Sequence, residues 1–312
     1  MPAAAQSTTV NRTTIMAYVV LCLIWGSTWL GIRILVVDVP PLQAAGIRFL
    51  IAGVLLVTLA LLQKRSWPRT QRSWTALIIL GLTIMAVPYG LLFWAEQFVA
   101  SSMAAVMFSA MPLVVALLTP LMTGRRVPRS AVFALVVAFG GLLVLLYTGS
   151  STHQSPLAEA AILLAVLLSA WSVVYAKDRL HEIDSVIATG TQLLVGSLAL
   201  MGAALFFEGR RQPHWTLSAV LAMLFLVAFG SCVAFVIYYW LLKKMQPYQL
   251  STTSLVVPIV AVLEGSLLAR EFVPLLMLVA MVVVLLAVGS VLRADAALAR
   301  GHDILMLRED RS

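Results

Sequence analysis

Ten stretches of this chain run for about twenty residues with almost no charge, and nothing else in it restricts the fold as much. About 20 apolar residues coiled as an α-helix match the hydrocarbon core of a bilayer. The stretches are Thr14 to about Val37, Leu42–Leu62, Thr75 to about Phe98, Ser102–Met122, Ser130–Tyr147, Leu157–Ala176, Ser185–Phe207, Thr216–Leu242, Gln249–Ala269 and Phe272–Leu292. A transmembrane barrel would instead need short segments of alternating polarity. Hydrophobic residues make up 62% of the chain and charged ones 11%, against about 45–50% and about 25% in soluble domains. No water-soluble interior hides that much apolar surface. The expected class is an all-α polytopic membrane protein with ten transmembrane helices.

The charges set the orientation. With both termini inside, the cytoplasmic segments hold 16 of the 21 lysines and arginines, the outer loops hold Arg210, Arg211 and Arg270, and Arg33 and Arg48 fall within helices. Lysine and arginine favour the cytoplasmic side. The net charge of +8 is therefore a topology signal, and no nucleic-acid partner is needed to explain it. The first helix is too long for a signal-peptide core and has no A-x-A site after it, so it reads as an uncleaved anchor. Cys22 and Cys232 sit alone in apolar runs, and His153, His181, His214 and His302 fall in loops or tails. Neither set has metal-ligand or disulfide spacing, so neither a metal nor another cofactor is expected.

The chain repeats itself. Pro112 and Pro258, Trp94 and Trp240, and Pro128 and Pro274 are each 146 residues apart. With a shift of 144, Gly46 meets Gly190, Arg48 meets Gln192, Arg33 meets Lys177, and the Trp25–Thr28 segment meets Ser169–Ser172. Five helices is an odd number, so the second copy enters the membrane from the opposite side. That gives two inverted five-helix repeats, at 14–147 and 157–292, joined by a polar linker at 148–156. A tail at 1–13 precedes them, and a charged tail at 293–312 is expected to hang free. A proline within a helix removes a donor and strains the preceding turn. Paired breaks of this kind in two halves of a membrane protein point to a transport site. Both proline-centred helices, Ser102–Met122 and Tyr248–Leu268, are expected to meet at mid-bilayer.

The chain resembles the EamA branch of the drug/metabolite transporter superfamily. The resemblance rests on W-G-S-T-W-x-x-I-R at Trp25–Arg33, on P-P-L-x-x-A-G-x-R-F-L-x-A-G at Pro40–Gly53, on the two proline helices and on E-F-V-P at Glu271. It covers essentially Thr14 to Arg293. It implies ten helices in two inverted repeats, a central cavity and export of small metabolites such as amino acids. It also implies a bacterial inner membrane as the location. The small multidrug relatives couple to protons through a glutamate in their first helix, and this chain has none there.

Polar groups in lipid are costly and mark pathways or partners. Arg33, Arg48, Glu96 and Glu264 are the candidates for gating or coupling, with an arginine–glutamate pair expected at an outer gate. Trp25, Ser27, Thr28, Tyr89, Phe93, Pro112, Trp171, Ser172, Tyr175, Tyr238, Thr252 and Pro258 are the candidates for lining a cavity. The hydroxyls also have the option of bonding their own preceding carbonyls, and the aromatics that of packing against lipid. The expected function is a secondary-active exporter that alternates access between two faces. Its partners are a small-molecule substrate, the lipid bilayer, and protons or another ion for coupling; its state is monomeric or weakly oligomeric. An importer or facilitative carrier of the same fold is the main alternative. An intramembrane lipid-modifying enzyme would need paired acids or clustered histidines, and no D-D-x-x-D or H-x-x-x-H run occurs.

Overall fold

A computed structural model describes residues 11–95, 97–99, 104, 107–146, 155–209, 211–269 and 275–309. Glu96, Arg210, Arg270, Glu271 and residues 148–154 of the linker lie outside the described residues. Among the described residues, the long helical spans are α1 (Arg12–Asp38), α2 (Pro41–Leu62), α3 (Gln71–Ala95), α4 (Met111–Thr123), α5 (Arg129–Leu146), α6 (Pro156–Arg179), α7 (Ser185–Phe207), α8 (Leu217–Lys244), α9 (Thr253–Ala269) and α10 (Leu275–Glu309). Among the described residues, seven helices are long and apolar enough to cross a membrane; α4 is a shorter apolar one.

Local chemistry sets the ends. Asn11, Thr70, Asp184 and Thr216 each accept a backbone N–H of the first turn that follows them, which satisfies donors a helix leaves open. Pro41 and Pro156 occupy first-turn positions, where the missing N–H costs nothing. α10 does not stop at Leu292 as expected but continues to Glu309. The run Ala294-Asp-Ala-Ala-Leu-Ala-Arg that follows is rich in helix formers, so the backbone has no reason to break there.

The packing is symmetric under exchange of α1–α5 for α6–α10. α2 packs on α7 and α5 on α10; α1 packs on α8 and α9 as α6 packs on α3 and α4; α3 packs on α7 as α8 packs on α2. A two-fold relation generates this pattern, because residue i touching j implies that the mate of i touches the mate of j. The α2–α7 contact shows it at residue level. A Cβ on Gly46 would lie 2.8 Å from Met201 Sδ, and one on Gly190 would lie 3.1 Å from Val57 Cγ2. Gly190 is the mate of Gly46, and Met201 is the mate of Val57. Glycine at both positions lets two apolar helices approach without a hydrophobic force between them.

Two departures from the α-helix are also paired. α3 contains a π-helical segment at Gly81–Ala86 and α8 one at Leu226–Val233. Such bulges are rare and occur frequently at functional sites. The proline helices are less alike than the sequence implies. Pro258 lies inside α9, and the Ser254 carbonyl, four residues back, accepts from Ser109 Oγ at 2.8 Å. Pro112 instead sits in the first turn of α4, after a turn at Ser109–Ala110. The helix is interrupted directly before this proline, whereas the break in the other copy, at Ser251–Thr252, lies farther back and leaves Pro258 inside the helix that follows.

One end of the bundle gathers the basic loops. Arg65 pairs with Asp184 at 2.6 Å, Arg125 approaches Asp178 at 4.0 Å, and Lys177 Nζ donates to the carbonyls of Leu242 and Met245. The other end is tied by neutral and acidic groups. Glu208 accepts from the N–H groups of Leu42 and Gln43, and Asp38 accepts from Thr216 and from the backbone of His214.

Candidate functional site

A cavity of about 130 Å³ lies where α1, α3, α4, α6, α8 and α9 converge. Its walls are mostly aromatic and aliphatic, with Trp25, Trp29, Tyr89, Phe108, Phe235 and Tyr238 among them. Trp25 contacts Phe235 edge-on at 5.5 Å and Tyr238 at 5.3 Å, and Tyr89 meets Phe235 at 6.2 Å. Rings at these separations and angles gain beyond their burial alone.

The lining falls into mates across the two repeats. Tyr89 and Phe235, Leu92 and Tyr238, Phe108 and Ser254, and Met111 and Val257 are each offset by 146, and Trp25 and Ser169 by 144. The cavity therefore straddles the pseudo-two-fold axis. Its hydroxyls are turned to their own helices: Thr28 donates to the Trp25 carbonyl at 2.7 Å, Ser251 to Tyr248 at 3.0 Å and Ser254 to Ser251 at 2.9 Å. Back-bonding of this kind uses the single proton of each hydroxyl and leaves its lone pairs for a ligand. Beyond the cavity lies an open vestibule of about 900 Å³ lined by Arg33, Asp38, Phe93, Arg211 and His214. Ile32 and Leu92 line the cavity, and their chain neighbours Arg33 and Phe93 line the vestibule.

Among the cavity candidates named from sequence, Trp25, Thr28, Tyr89, Tyr238 and Pro258 line the cavity. Phe93 lines the vestibule. Pro112 is buried beside the lining residue Met111. Ser172 donates to Thr83 at 2.7 Å, and Thr252 shares a 2.7 Å bond with the Tyr18 hydroxyl. Trp171 and Tyr175 stack on each other at 4.9 Å, with Arg179 over the Tyr175 ring. Ser27 binds Glu264 across the α1–α9 contact and also reaches the Leu23 carbonyl at 2.9 Å.

Among the described residues, Arg48 is bonded to no glutamate. Arg48 is 1% exposed and is, among the described residues, the one charged side chain in the buried interior. Its Nε donates to Ser231 Oγ at 2.8 Å and its Nη2 to the Gly230 carbonyl at 3.1 Å, both in the π segment of α8. Its guanidinium also lies over the rings of Phe49 and Tyr89, at 5.4 and 6.0 Å. A π segment frees carbonyls that an α-helix would use, and the guanidinium takes one of them. Phe108, Ser169 and Phe235 also line the cavity and were not named from sequence as lining residues. The repeat offsets, applied to Tyr89 and Trp25, would have pointed to Phe235 and Ser169.

A family model described as the EamA-like transporter family matches residues 12–147 and 156–293. The inner membrane transporter YedA of Escherichia coli K12 is 32% identical over 80% of this chain and 81% of its own. The protein PagO of Salmonella typhimurium is 28% identical over 78% of this chain and 81% of its own, and the transporter YoaV of Bacillus subtilis is 28% identical over 80% and 86%. A crystal structure superposes with a TM-score of 0.77 at 16% identity, covering 92% of this chain and 99% of its own; at that identity it speaks for the fold. Two five-helix repeats, a cavity on the axis between them and relatives named as transporters make this multi-pass membrane protein a transporter and not an enzyme, and the chain belongs to the EamA-like transporter family.

Proposed function

We propose that this transporter is a secondary-active carrier that exports small metabolites such as amino acids by alternating access. The observation behind the reading is the cavity built from mates of the two repeats. A site on the axis is seen alike from both faces, so rocking one repeat against the other exposes the same walls to either side. The vestibule at the end that holds the α1–α2 turn serves in this reading as the exit. The charge pattern supports that end as the outer one, with both termini in the cytoplasm. Glu264, bound by Ser27 at the α1–α9 contact, is the coupling candidate on the moving surface.

The test is flux in proteoliposomes against a panel of radiolabelled amino acids and small organic acids and amines. Solute movement beyond empty liposomes, rising with an imposed gradient and saturating, is the expected result. Absence of any solute flux would remove the carrier reading. Glu264→Gln should slow flux about tenfold, equivalent to ~1.4 kcal/mol in the barrier, with unchanged expression. Wild-type flux in that variant would take Glu264 out of the coupling step.

A further inference from the structure

We infer that Arg48 and the indole of Trp25 recognise an anionic group, a carboxylate, on a small ring-bearing solute. The inference deepens the carrier reading and rests on the same cavity. It begins with a donor count. Among the described residues, Arg48 Nη1 and Trp25 Nε1 are both buried and have no hydrogen-bond partner. An unpartnered buried donor carries its full desolvation cost, and a buried cation carries more. No carboxylate of the described residues lies within 4.0 Å of Arg48; its bonds go to a hydroxyl and a carbonyl.

The two donors belong to one neighbourhood. Trp25 lines the cavity. Arg48 stands one side-chain layer behind it. Its guanidinium faces the ring of Tyr89, which lines the cavity. It also meets Thr28, another lining residue, around Gly230: a Cβ there would lie 2.8 Å from Thr28 Cγ2 and 3.0 Å from Arg48 Nη2. The absence of a side chain at Gly230 lets Thr28 and the Arg48 guanidinium both pack against its backbone.

The walls set the rest of the ligand. A void of about 130 Å³ is close to the size that admits one benzene ring in an apolar interior. Its rings offer faces to stack on, and no carboxylate is among its lining residues. Thr28, Ser251 and Ser254 spend their protons on helix carbonyls, whereas the indole N–H and one guanidinium nitrogen behind it are buried with their donors unused. A carboxylate offers only acceptors and satisfies both; an ammonium satisfies neither.

The probes are benzoate, its neutral isostere benzamide, and benzylamine, each titrated into the purified, detergent-solubilised protein by calorimetry. Benzoate should bind about tenfold tighter than benzamide, and benzylamine should bind weakest. Arg48→Gln should abolish the preference of benzoate over benzamide, and Arg48→Lys should keep part of it. Trp25→Phe, which keeps the ring and removes the N–H, should weaken benzoate several-fold while sparing benzamide. Equal binding of the three probes to the wild type overturns the inference. So does a benzoate preference that survives Arg48→Gln. If Arg48→Gln does not fold, an unchanged preference in both Arg48→Lys and Trp25→Phe overturns it. Flux of neutral or cationic solutes without benzoate binding sinks this inference and leaves the carrier. Benzoate binding without flux of any solute does the reverse.

Discussion

The π segments of α3 and α8 occupy mated positions, yet they are held by different means. In α8, the guanidinium of Arg48 reaches across from α2 to Ser231 and the Gly230 carbonyl. Its mate Gln192, on α7, turns away from the π segment of α3 and accepts from the Tyr239 hydroxyl. The α3 segment is tied instead by Ser172 to Thr83 and by the close approach of Gly196, whose added Cβ would lie 2.6 Å from Met85 Cβ. The mate of Gly196 is Ala52. One segment is thus pinned by charge and the other by neutral bonds and contact. Hydrogen bonds from an ionised donor are roughly twice as strong as neutral ones. A duplicated unit need not use its copies alike: α8 is the firmer wall of the cavity and α3 the more readily remodelled one.

The largest way to break this contrast is to give the second repeat the first repeat's cation. Gln192 is fully buried, and its known partner is a phenol. Gln192→Arg should destabilise the fold by about 3–5 kcal/mol, the range for a buried charge left without a counter-ion. Thermal unfolding in detergent reads the loss. A variant as stable as the parent would mean that the α3 side accepts a cation too, and the asymmetry would be incidental.

The second prediction sharpens the contact half of the comparison. Gly196→Ala forces a methyl against Met85 Cβ and lies 3.2 Å from the Gly81 carbonyl, neither of which is the free end of a flexible side chain. Overpacking of this kind costs about 1–3 kcal/mol, enough to outweigh the ~1 kcal/mol that alanine gains over glycine within a helix. The melting temperature should fall. A rise would show that α3 yields freely at its π segment and that helix propensity decides the sign.

How much of this was legible in the sequence depends on what each feature needs. The spans followed from apolar length, and the inverted repeat followed from Gly46 with Gly190 and from the paired prolines. Membrane thickness and close helix packing dictate those choices residue by residue. The two π segments left no such trace. Gly81–Ala86 and Leu226–Val233 read as ordinary apolar helix, because the extra residue per turn is sustained by tertiary partners. For the same reason Arg48 read as an outer gate. Its depth was visible from Pro41, but its partner, a serine on α8 183 residues away, was not. Pro112 misled in the other direction. A mid-run proline reads as a kink within one helix, whereas here the turn at Ser109–Ala110 places it where a proline is harmless.

The smallest prediction isolates the neutral tie. Ser172 Oγ lies 3.1 Å from the Thr83 carbonyl and 2.7 Å from its hydroxyl, while Thr83 Oγ1 gives its own proton to the Ile79 carbonyl at 2.9 Å. Ser172 therefore supplies the only proton in this group that joins α6 to the π segment of α3. Ser172→Ala should cost about 0.5–1.5 kcal/mol, one neutral hydrogen bond, and the chain should still fold. Because that bond crosses between repeats, its loss should also speed hydrogen exchange in Gly81–Ala86 while Leu226–Val233, held by Arg48, stays protected. Equal loosening of both segments would show that they open as one unit and that the charged tie gives α8 no independent rigidity.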